Sequence, residues 1–251
     1  MIDIIVQLAL AVIPAILAIT LHEAAHGYAA LALGDDTARQ AGRLSLNPLR
    51  HVDRVGTILL PGLLLIFQLL TFHRVLFMFG WAKPVPVSAW KFRDPRRGMA
   101  AVAVAGPAMN FFLAWIGALL LPSPSGPVTG SMDYLEAAID QHPVVGVFLF
   151  YFILTNLVLG LFNLLPIPPL DGGRIVVGLL PLDLARRWAR LERVGIVLVI
   201  LLVILLPPLA REFGIRFDPF NQALQTAVPW AINLLLWLAG HNTGGADVRF
   251  I

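Results

Sequence analysis

The sequence predicts an all-α polytopic membrane protein from its composition, its apolar runs and the distribution of its basic residues. Of the 251 residues, 58% are hydrophobic and only 13% are charged, and the mean hydropathy is +0.81. Soluble domains carry about a quarter charged residues, so this deficit points to lipid as the solvent. Apolar runs occupy residues 4–33, 56–80, 98–122, 143–165, 194–210 and 227–240. Because a crossing helix needs about 20 residues, the last run is marginal, and we expect about five to six transmembrane helices.

Charge and cysteine usage exclude several classes of function. The chain has no cysteine, which excludes disulfides, thiol nucleophiles and Cys-ligated metal. Any metal must therefore be held by His, Asp or Glu. The net charge of +3 comes from basic loops rather than from a patch with interleaved aromatic residues, so no nucleic-acid partner is expected.

The loops between the runs predict the topology. Loops 35–54, 81–97 and 172–193 are rich in Lys and Arg, whereas loop 123–142 has acidic residues and no basic ones. By the positive-inside rule, the first three loops are cytoplasmic and the last is external. The first helix then runs from the external side inward. The N-terminus lacks the basic region of a signal peptide, so this first run is expected to be retained.

The second apolar run conflicts with a simple crossing. Both flanks of residues 56–80 are basic, yet about 25 residues cannot cross a bilayer twice as helices. A re-entrant hairpin or β-like segment, turning near Pro61 and Gly62 or later, satisfies both facts. Such backbone survives at membrane depth only against protein or a wet cavity. The alternative is an ordinary span with one misassigned loop.

The first run contains His22-Glu23-Ala24-Ala25-His26. Two His residues four positions apart project from the same helix face, and can bind one metal ion. With the intervening Glu23, this is a known zinc-protease pattern, in which zinc lowers the pKa of water to about 7 and the Glu accepts the proton. The alternative is a chance match of polar core residues. Ionisable groups inside an apolar span are costly and usually functional, which favours the metal.

A catalytic zinc normally takes three protein ligands, and Asp171 is the best third candidate. It follows Pro166, Pro168 and Pro169 and precedes two glycines, in an irregular stretch expected at membrane depth only where it lines protein or a cavity. The positive-inside topology brings it to the cytoplasmic side, at the depth of His22 and His26. On its own, Asp171 could equally be the cap of a following helix.

Together, the His-Glu-Ala-Ala-His segment and the stretch from Asn163 through Pro166 to Asp171-Gly172 resemble the site-2 protease family of intramembrane metalloproteases. Further matches are Asn47-Pro48-Leu49, residues 79–85 and Gly106-Pro107-Ala108-Met109-Asn110. The resemblance covers roughly residues 15–180 and is greatest to the small bacterial and archaeal members. No segment matches an inserted PDZ domain or an appended CBS pair, and one span rather than two precedes His22.

The resemblance implies one Zn²⁺ per chain, held by His22, His26 and Asp171, with Glu23 as general base and later proton donor. It implies that Asn163 binds the substrate backbone or the oxyanion, and that Asn110 is a structural or substrate-facing polar group.

The resemblance further implies a single integral membrane protease domain over 1–251. Its catalytic core covers about 4–180 and its C-terminal helices about 192–240. The domain would lie in a prokaryotic inner membrane, with the active site opening toward the cytoplasm. The expected substrates are transmembrane proteins or membrane-anchored peptides, hydrolysed in or near the bilayer. The alternatives are an inactive zinc-binding scaffold and a metal-ion transporter.

Overall fold

The computed structural model describes residues 4–73, 80–214 and 217–241, and this part of the chain is helical, without strands. The helices are α1 (Ile4–Ala32), α2 (Thr37–Gln40), α3 (Leu60–Phe72), α4 (Pro95–Leu119), α5 (Ser131–Gln141), α6 (Pro143–Asn163), α7 (Asp171–Leu179), α8 (Leu182–Arg190), α9 (Glu192–Val199), α10 (Leu206–Glu212) and α11 (Pro219–Leu238). Wider π-helical turns at Arg54–Leu59 and Ile200–Leu205 precede α3 and join α9 to α10, and 3-10 turns lie at Pro48–Arg50 and Ala89–Lys91.

Local chemistry explains where the long helices begin. The Asp94 carboxylate accepts the backbone N–H groups of Arg96 and Arg97, and Pro95, which has no N–H to satisfy, is the first residue of α4. The same arrangement of Asp218 and Pro219 begins α11. α3 continues through Pro61 and Gly62, so a hairpin turn at that point is absent, and a turn after Phe72 would involve residues 74–79, outside the described residues.

Helix α4 lies at the centre of the fold and packs against α1, α6, α7 and α11. A hydrophobic core formed by α4, α5, α6 and α11 fills one end of the bundle, with Ala114, Leu135, Ile153 and Leu236 among its buried residues. The candidate metal ligands described below lie toward the other end, where α1, α4 and α7 meet.

Within the part of the chain that the structure describes, four helical segments are long and apolar enough to cross a membrane: Ile5–Ala32, Arg54–Thr71, Pro95–Leu119 and Pro143–Asn163. Their outward faces expose large apolar side chains, such as Leu8 at 61% and Ile66 at 57%. Contiguous apolar surface on this scale is unusual for a protein in water, and it fits contact with lipid.

The contacts of the C-terminal helices show at which end of the bundle each of them begins, which the apolar runs alone do not reveal. Gly195 in α9 packs directly on the Pro168 carbonyl, just beyond the C-terminal end of α6. The Phe220 ring, at the start of α11, lies 5.4 Å from the Phe162 ring at that same end of α6. Gly195 and Phe220 thus both lie at this end of the bundle. α11 then runs to the opposite end, where His241 donates to the Ala118 carbonyl over 2.7 Å.

Candidate metal centre

Two imidazoles on α1 form one side of the site. His22 and His26 are one helical turn apart and project from the same face, with their rings edge-on at a centroid distance of 4.6 Å. Their Nε2 atoms lie 3.1 Å apart. His22 is 5% exposed, so this pair is shielded from bulk solvent.

Asp171 reaches these histidines from the first position of α7. Prolines end α6 and turn the chain, and two glycines allow the turn to close on itself. A Cβ on Gly172 would lie 2.3 Å from the carbonyl oxygens of Leu164 and Leu165, and one on Gly173 would lie 2.5 Å from Pro168 N. Only glycine therefore fits at either position, and this close packing brings the Asp171 carboxylate to the two rings.

The three ligand atoms form a nearly equilateral triangle. Asp171 Oδ2 lies 3.2 Å from His22 Nε2 and 3.2 Å from His26 Nε2, which closes a triangle with the 3.1 Å between the two nitrogens. A tetrahedral zinc ion with bonds of about 2.0–2.1 Å separates its ligands by about 3.3 Å. Asp171 Oδ2 is buried and has no hydrogen-bond partner among the described residues, a costly state that a metal ion would relieve.

Helix α4 fixes the tautomers of both histidines. His26 Nδ1 lies 2.8 Å from the Val102 carbonyl, which can only accept, so Nδ1 carries the proton. His22 Nδ1 lies 2.6 Å from Asn110 Oδ1, and the Asn110 amide is oriented by donation from Nδ2 to the Ala18 carbonyl. Each Nε2 lone pair is thus directed into the triangle. This is the outer-shell arrangement that usually orients metal-binding histidines.

Asn110 is fully buried, and its partner Asn156 is a residue that the sequence analysis missed. Asn110 Nδ2 donates to Asn156 Oδ1 over 2.9 Å, and Asn156 Nδ2 donates to the Phe152 carbonyl of α6. A series of hydrogen bonds therefore links α6, through Asn156 and Asn110 of α4, to His22 of α1. Asn156 is a polar residue within an apolar span, and that signal alone could have identified it.

Glu23 faces a different part of the chain from the two histidines. Its Oε2 accepts the backbone N–H of Val85 over 3.0 Å, in the irregular segment 80–88. Val85 is buried, and its side chain packs against Gly27, where a Cβ would lie 3.0 Å from Val85 Cγ1 and 2.7 Å from Leu44. Residue types do not reveal this contact, because a backbone N–H donor is the same whatever side chain the residue carries.

Asn163, the other polar residue singled out in the sequence, ends α6. It is half-buried, and its Nδ2 donates to the Leu159 carbonyl of its own helix over 3.0 Å. The structure therefore brings together His22, His26, Asp171 and, through the outer shell, Asn110. The hydrogen bond of Asn163 lies within its helix rather than with this cluster.

Comparison with known proteins agrees with this geometry. Residues 10–207 match the model of peptidase family M50. The chain is 39% identical over 198 residues to YwhC of Bacillus subtilis (strain 168), a protein named as a zinc metalloprotease, and the match covers 79% of this chain and 80% of that protein. No solved structure matches this chain significantly. The chain therefore belongs to peptidase family M50, the site-2 proteases, and is a multi-pass membrane zinc metalloprotease.

Proposed function

We propose that one zinc ion per chain is held by His22, His26 and Asp171, and that Glu23 is the general base of peptide-bond hydrolysis. The observation that carries this is the triangle of ligand atoms 3.1–3.2 Å apart, with both imidazoles already in the metal-binding tautomer. Zinc, when bound there, would lower the pKa of water to about 7 and polarise the scissile carbonyl.

Glu23 is suited to accept and return a proton. It is next to His22 in sequence, and one of its oxygens, Oε2, accepts the Val85 N–H, while Oε1 has no hydrogen bond among the contacts of the described residues. That contact holds the carboxylate without neutralising it. A positioned general base typically accelerates a reaction by about 10²–10⁴-fold. Asn163 is retained as a candidate for binding the substrate backbone, since it lies at the end of α6, eight residues before Asp171.

Segment 80–88 is suited to support an unwound substrate. In an extended chain, alternate residues point their N–H and C=O groups in opposite directions. Trp81, Lys83 and Val85 direct their N–H groups to the protein: Trp81 donates to the Gly56 carbonyl, Lys83 to the His51 carbonyl, and Val85 to the Glu23 carboxylate. An extended course between them would turn the carbonyls of residues 82, 84 and 86 away from the protein, toward the N–H groups of an added strand.

The contacts of this segment also support the re-entrant course of residues 56–80. Trp81 N donates to the Gly56 carbonyl over 3.1 Å, and Thr57 Oγ1 donates to the Trp81 carbonyl over 2.8 Å. The chain thus returns to the point from which it left, and both basic flanks lie on one side of the membrane. We place that side in the cytoplasm of a prokaryotic cell by the positive-inside rule, with the active site opening toward it.

The contacts of the C-terminal helices extend this topology. Because Gly195 and Phe220 both lie at the cytoplasmic end of α6, the stretch between them begins and ends on that side and makes no net crossing, whereas α11 crosses. The proposed crossings are α1, α4, α6 and α11, within a single membrane domain. Reporter fusions after Lys83 and after Gly214 should both give cytoplasmic signals, and an external signal at either site would contradict the corresponding part of this topology.

The decisive experiment compares wild type with Glu23→Gln and His22→Ala, each purified and reconstituted with a single-span model substrate. We expect wild type to contain about one zinc per chain and to cleave, and a chelator to abolish cleavage. Glu23→Gln should keep its zinc and lose at least 10²-fold in rate, the usual contribution of a general base. His22→Ala should lose both zinc and activity.

The same assay tests the alternatives. A wild-type protein that binds zinc but does not cleave any of several substrates would indicate a scaffold. Zinc flux into sealed vesicles without cleavage would indicate a transporter. Glu23→Gln that cleaves as fast as wild type would refute the role given to Glu23.

A further inference from the structure

The buried carboxylate of Asp35 lies outside the metal centre and has no role in the chemistry described so far. It comes shortly after the end of α1 and is 0% exposed. A buried ionised carboxylate is costly unless its oxygens accept several hydrogen bonds. Asp35 meets that requirement, and its partners show what it holds.

Both oxygens of Asp35 are used, each on a different partner. Oδ1 accepts the Thr37 backbone N–H over 3.0 Å and also the Thr37 hydroxyl. Oδ2 accepts the backbone N–H of Ser88 over 2.6 Å. The Thr37 and Ser88 hydroxyl oxygens are 3.0 Å apart, which gives a second link between the same two segments. Asp35 thus clamps the segment that contains Val85 to the end of the first helix.

The distance along the chain from Ser88 to Val85 is short and stiff. The intervening residues are Pro86 and Val87, and proline fixes its own φ near −65°. Val85 is itself buried against Gly27. Fixing the Ser88 N–H therefore also fixes the direction of the Val85 N–H, which donates to Glu23 over 3.0 Å.

We propose that Asp35 is a positioning residue for the general base: it holds residues 85–88 in the register that aligns the Val85 N–H with the Glu23 carboxylate. This inference rests on the role proposed for Glu23. Its mechanical part, the coupling of Asp35 to the Val85 amide, does not depend on that role.

The neighbouring acid provides a matched control. The side chain of Asp36 is 46% exposed. Its carboxylate forms an ion pair with Lys91 at 2.6 Å and accepts a hydrogen bond from the Gln40 side chain. Its carboxylate makes no hydrogen bond to the backbone of residues 80–88 among the contacts of the described residues. Lys91 lies farther from Asp35, at 3.5 Å. Asp35→Asn and Asp36→Asn therefore remove the same charge from adjacent positions, and only the first disturbs the clamp.

The test uses the full-length protein in detergent, with kcat, KM, zinc content and amide exchange of residues 82–88 measured for each variant. Asparagine offers one acceptor oxygen where Asp35 uses two. We expect Asp35→Asn to lower kcat by about 10–100-fold, because small misplacement of a catalytic group costs about that much. Zinc content should stay within about two-fold, since no zinc ligand is changed, and any rise in KM should be smaller than the loss in kcat, since the main loss is a transition-state interaction. Amide exchange of residues 82–88 should accelerate. Asp36→Asn should change none of these measurements by more than about two-fold.

A double-mutant cycle separates this proposal from a purely structural role. If Asp35 acts through Glu23, Asp35→Asn should cause no further loss in the Glu23→Gln background. Equal fold losses in both backgrounds, or equal losses for Asp35→Asn and Asp36→Asn, would overturn the proposal. Glu23→Gln at full activity would refute the proposed function instead, and the exchange measurement would still report on the clamp.

Should Asp35→Asn fail to fold, Thr37→Val removes the hydroxyl that links Asp35 to Ser88 while keeping the side-chain shape. We expect a smaller loss of kcat, of about three- to ten-fold, again with zinc retained. A Thr37→Val protein with wild-type kcat and wild-type exchange at residues 82–88 would refute the clamp.

Discussion

Gly106→Ala should disturb the proposed metal centre although it substitutes none of the candidate ligands. Gly106 lies on α4 against both imidazoles, and a Cβ built on it would lie 2.5 Å from His22 Cε1 and 2.5 Å from His26 Nε2. Ordinary carbon contacts are at about 3.5–4.0 Å, so the rings must move by about 1 Å or α4 must withdraw by a similar amount. Neither change can occur while the hydrogen bonds of His22 to Asn110 and His26 to Val102 both keep their lengths.

The expected loss follows from the tolerance of zinc sites. Ligand distances must hold within about 0.2 Å, and disturbing the outer shell typically lowers metal affinity by about 10–100-fold. That range corresponds to about 1.4–2.7 kcal/mol of zinc binding free energy. Replacing glycine in a helix interior gains about 1 kcal/mol of helix propensity, which offsets part of what the overlap costs the apoprotein in stability. Zinc affinity should fall in addition, because the displaced atoms belong to the candidate ligands.

The assay is competition for zinc against a chelator of known affinity, with thermal unfolding of the apoprotein measured in parallel. Gly117→Ala is the matched control, since it makes the same substitution in the same helix. Its Cβ would meet Ile153 at 2.8 Å and Phe152 at 3.0 Å, in the hydrophobic core rather than at the site. We expect Gly117→Ala to lower stability and leave zinc affinity unchanged. A Gly106→Ala protein that binds zinc as tightly as wild type would refute the packing argument.

Three further predictions address the outer shell, the metal and the acid side of the stability curve. Asn110→Leu leaves the buried His22 N–H without an acceptor, at a cost of about 1–3 kcal/mol. It should lower zinc affinity by about 10–100-fold in the same competition assay, and unchanged affinity would show that Asn110 does not orient His22. Removing zinc should lower the melting temperature, because free zinc at 100 times its Kd contributes about 2.7 kcal/mol to the folded state, and an apoprotein that melts at the holoprotein's temperature would contradict a metal site in α1 and α7. Burial raises the pKa of the Asp35 carboxyl, but hydrogen bonds from Thr37, Ser88 and Lys91 outweigh it and leave this pKa below its ordinary value. Its contribution to stability is therefore complete above the ordinary pKa of about 4 and is lost as the pH falls through the lower folded-state value, so melting temperatures from pH 7 to pH 3 should fall less steeply for Asp35→Asn than for wild type.

The parts of the site that could be predicted from sequence are those that depend on periodicity. A helix places residues four apart on one face whatever surrounds it, so the joint projection of His22 and His26 follows from their spacing. Asp171 was different, because a proline-rich turn has no fixed period. Only the resemblance to a family distinguished a metal ligand there from a helix cap, and the structure shows that Asp171 is both the first residue of α7 and a vertex of the ligand triangle.

Contacts made by the backbone could not be predicted in this way. The Val85 N–H, the Val102 carbonyl and the Pro168 carbonyl act through the main chain, so their partners cannot be identified from side-chain types. The course of residues 192–212 was equally hidden. An apolar stretch that crosses the bilayer and one that begins and ends on the same side both contact lipid, so their residue compositions are similar.

The packing of α1 against α4 explains why the metal centre is built on rigid helices. Val102, Gly106 and Asn110 are spaced by four residues along α4, as are Ala18, His22 and His26 along α1, so each set lies on one helix face. The two sets meet in antiparallel order: Asn110 bonds Ala18 and His22, Gly106 touches both histidines, and Val102 bonds His26. The i, i+4 row of one helix thus packs against the corresponding row of the other, and His22 and His26 are part of this contact. Any shift of α1 relative to α4 breaks these hydrogen bonds as well as the packing. The contacts that pair the two helices therefore also orient two of the proposed metal ligands. The third, Asp171, is positioned separately, by the close-packed turn that Gly172 and Gly173 allow.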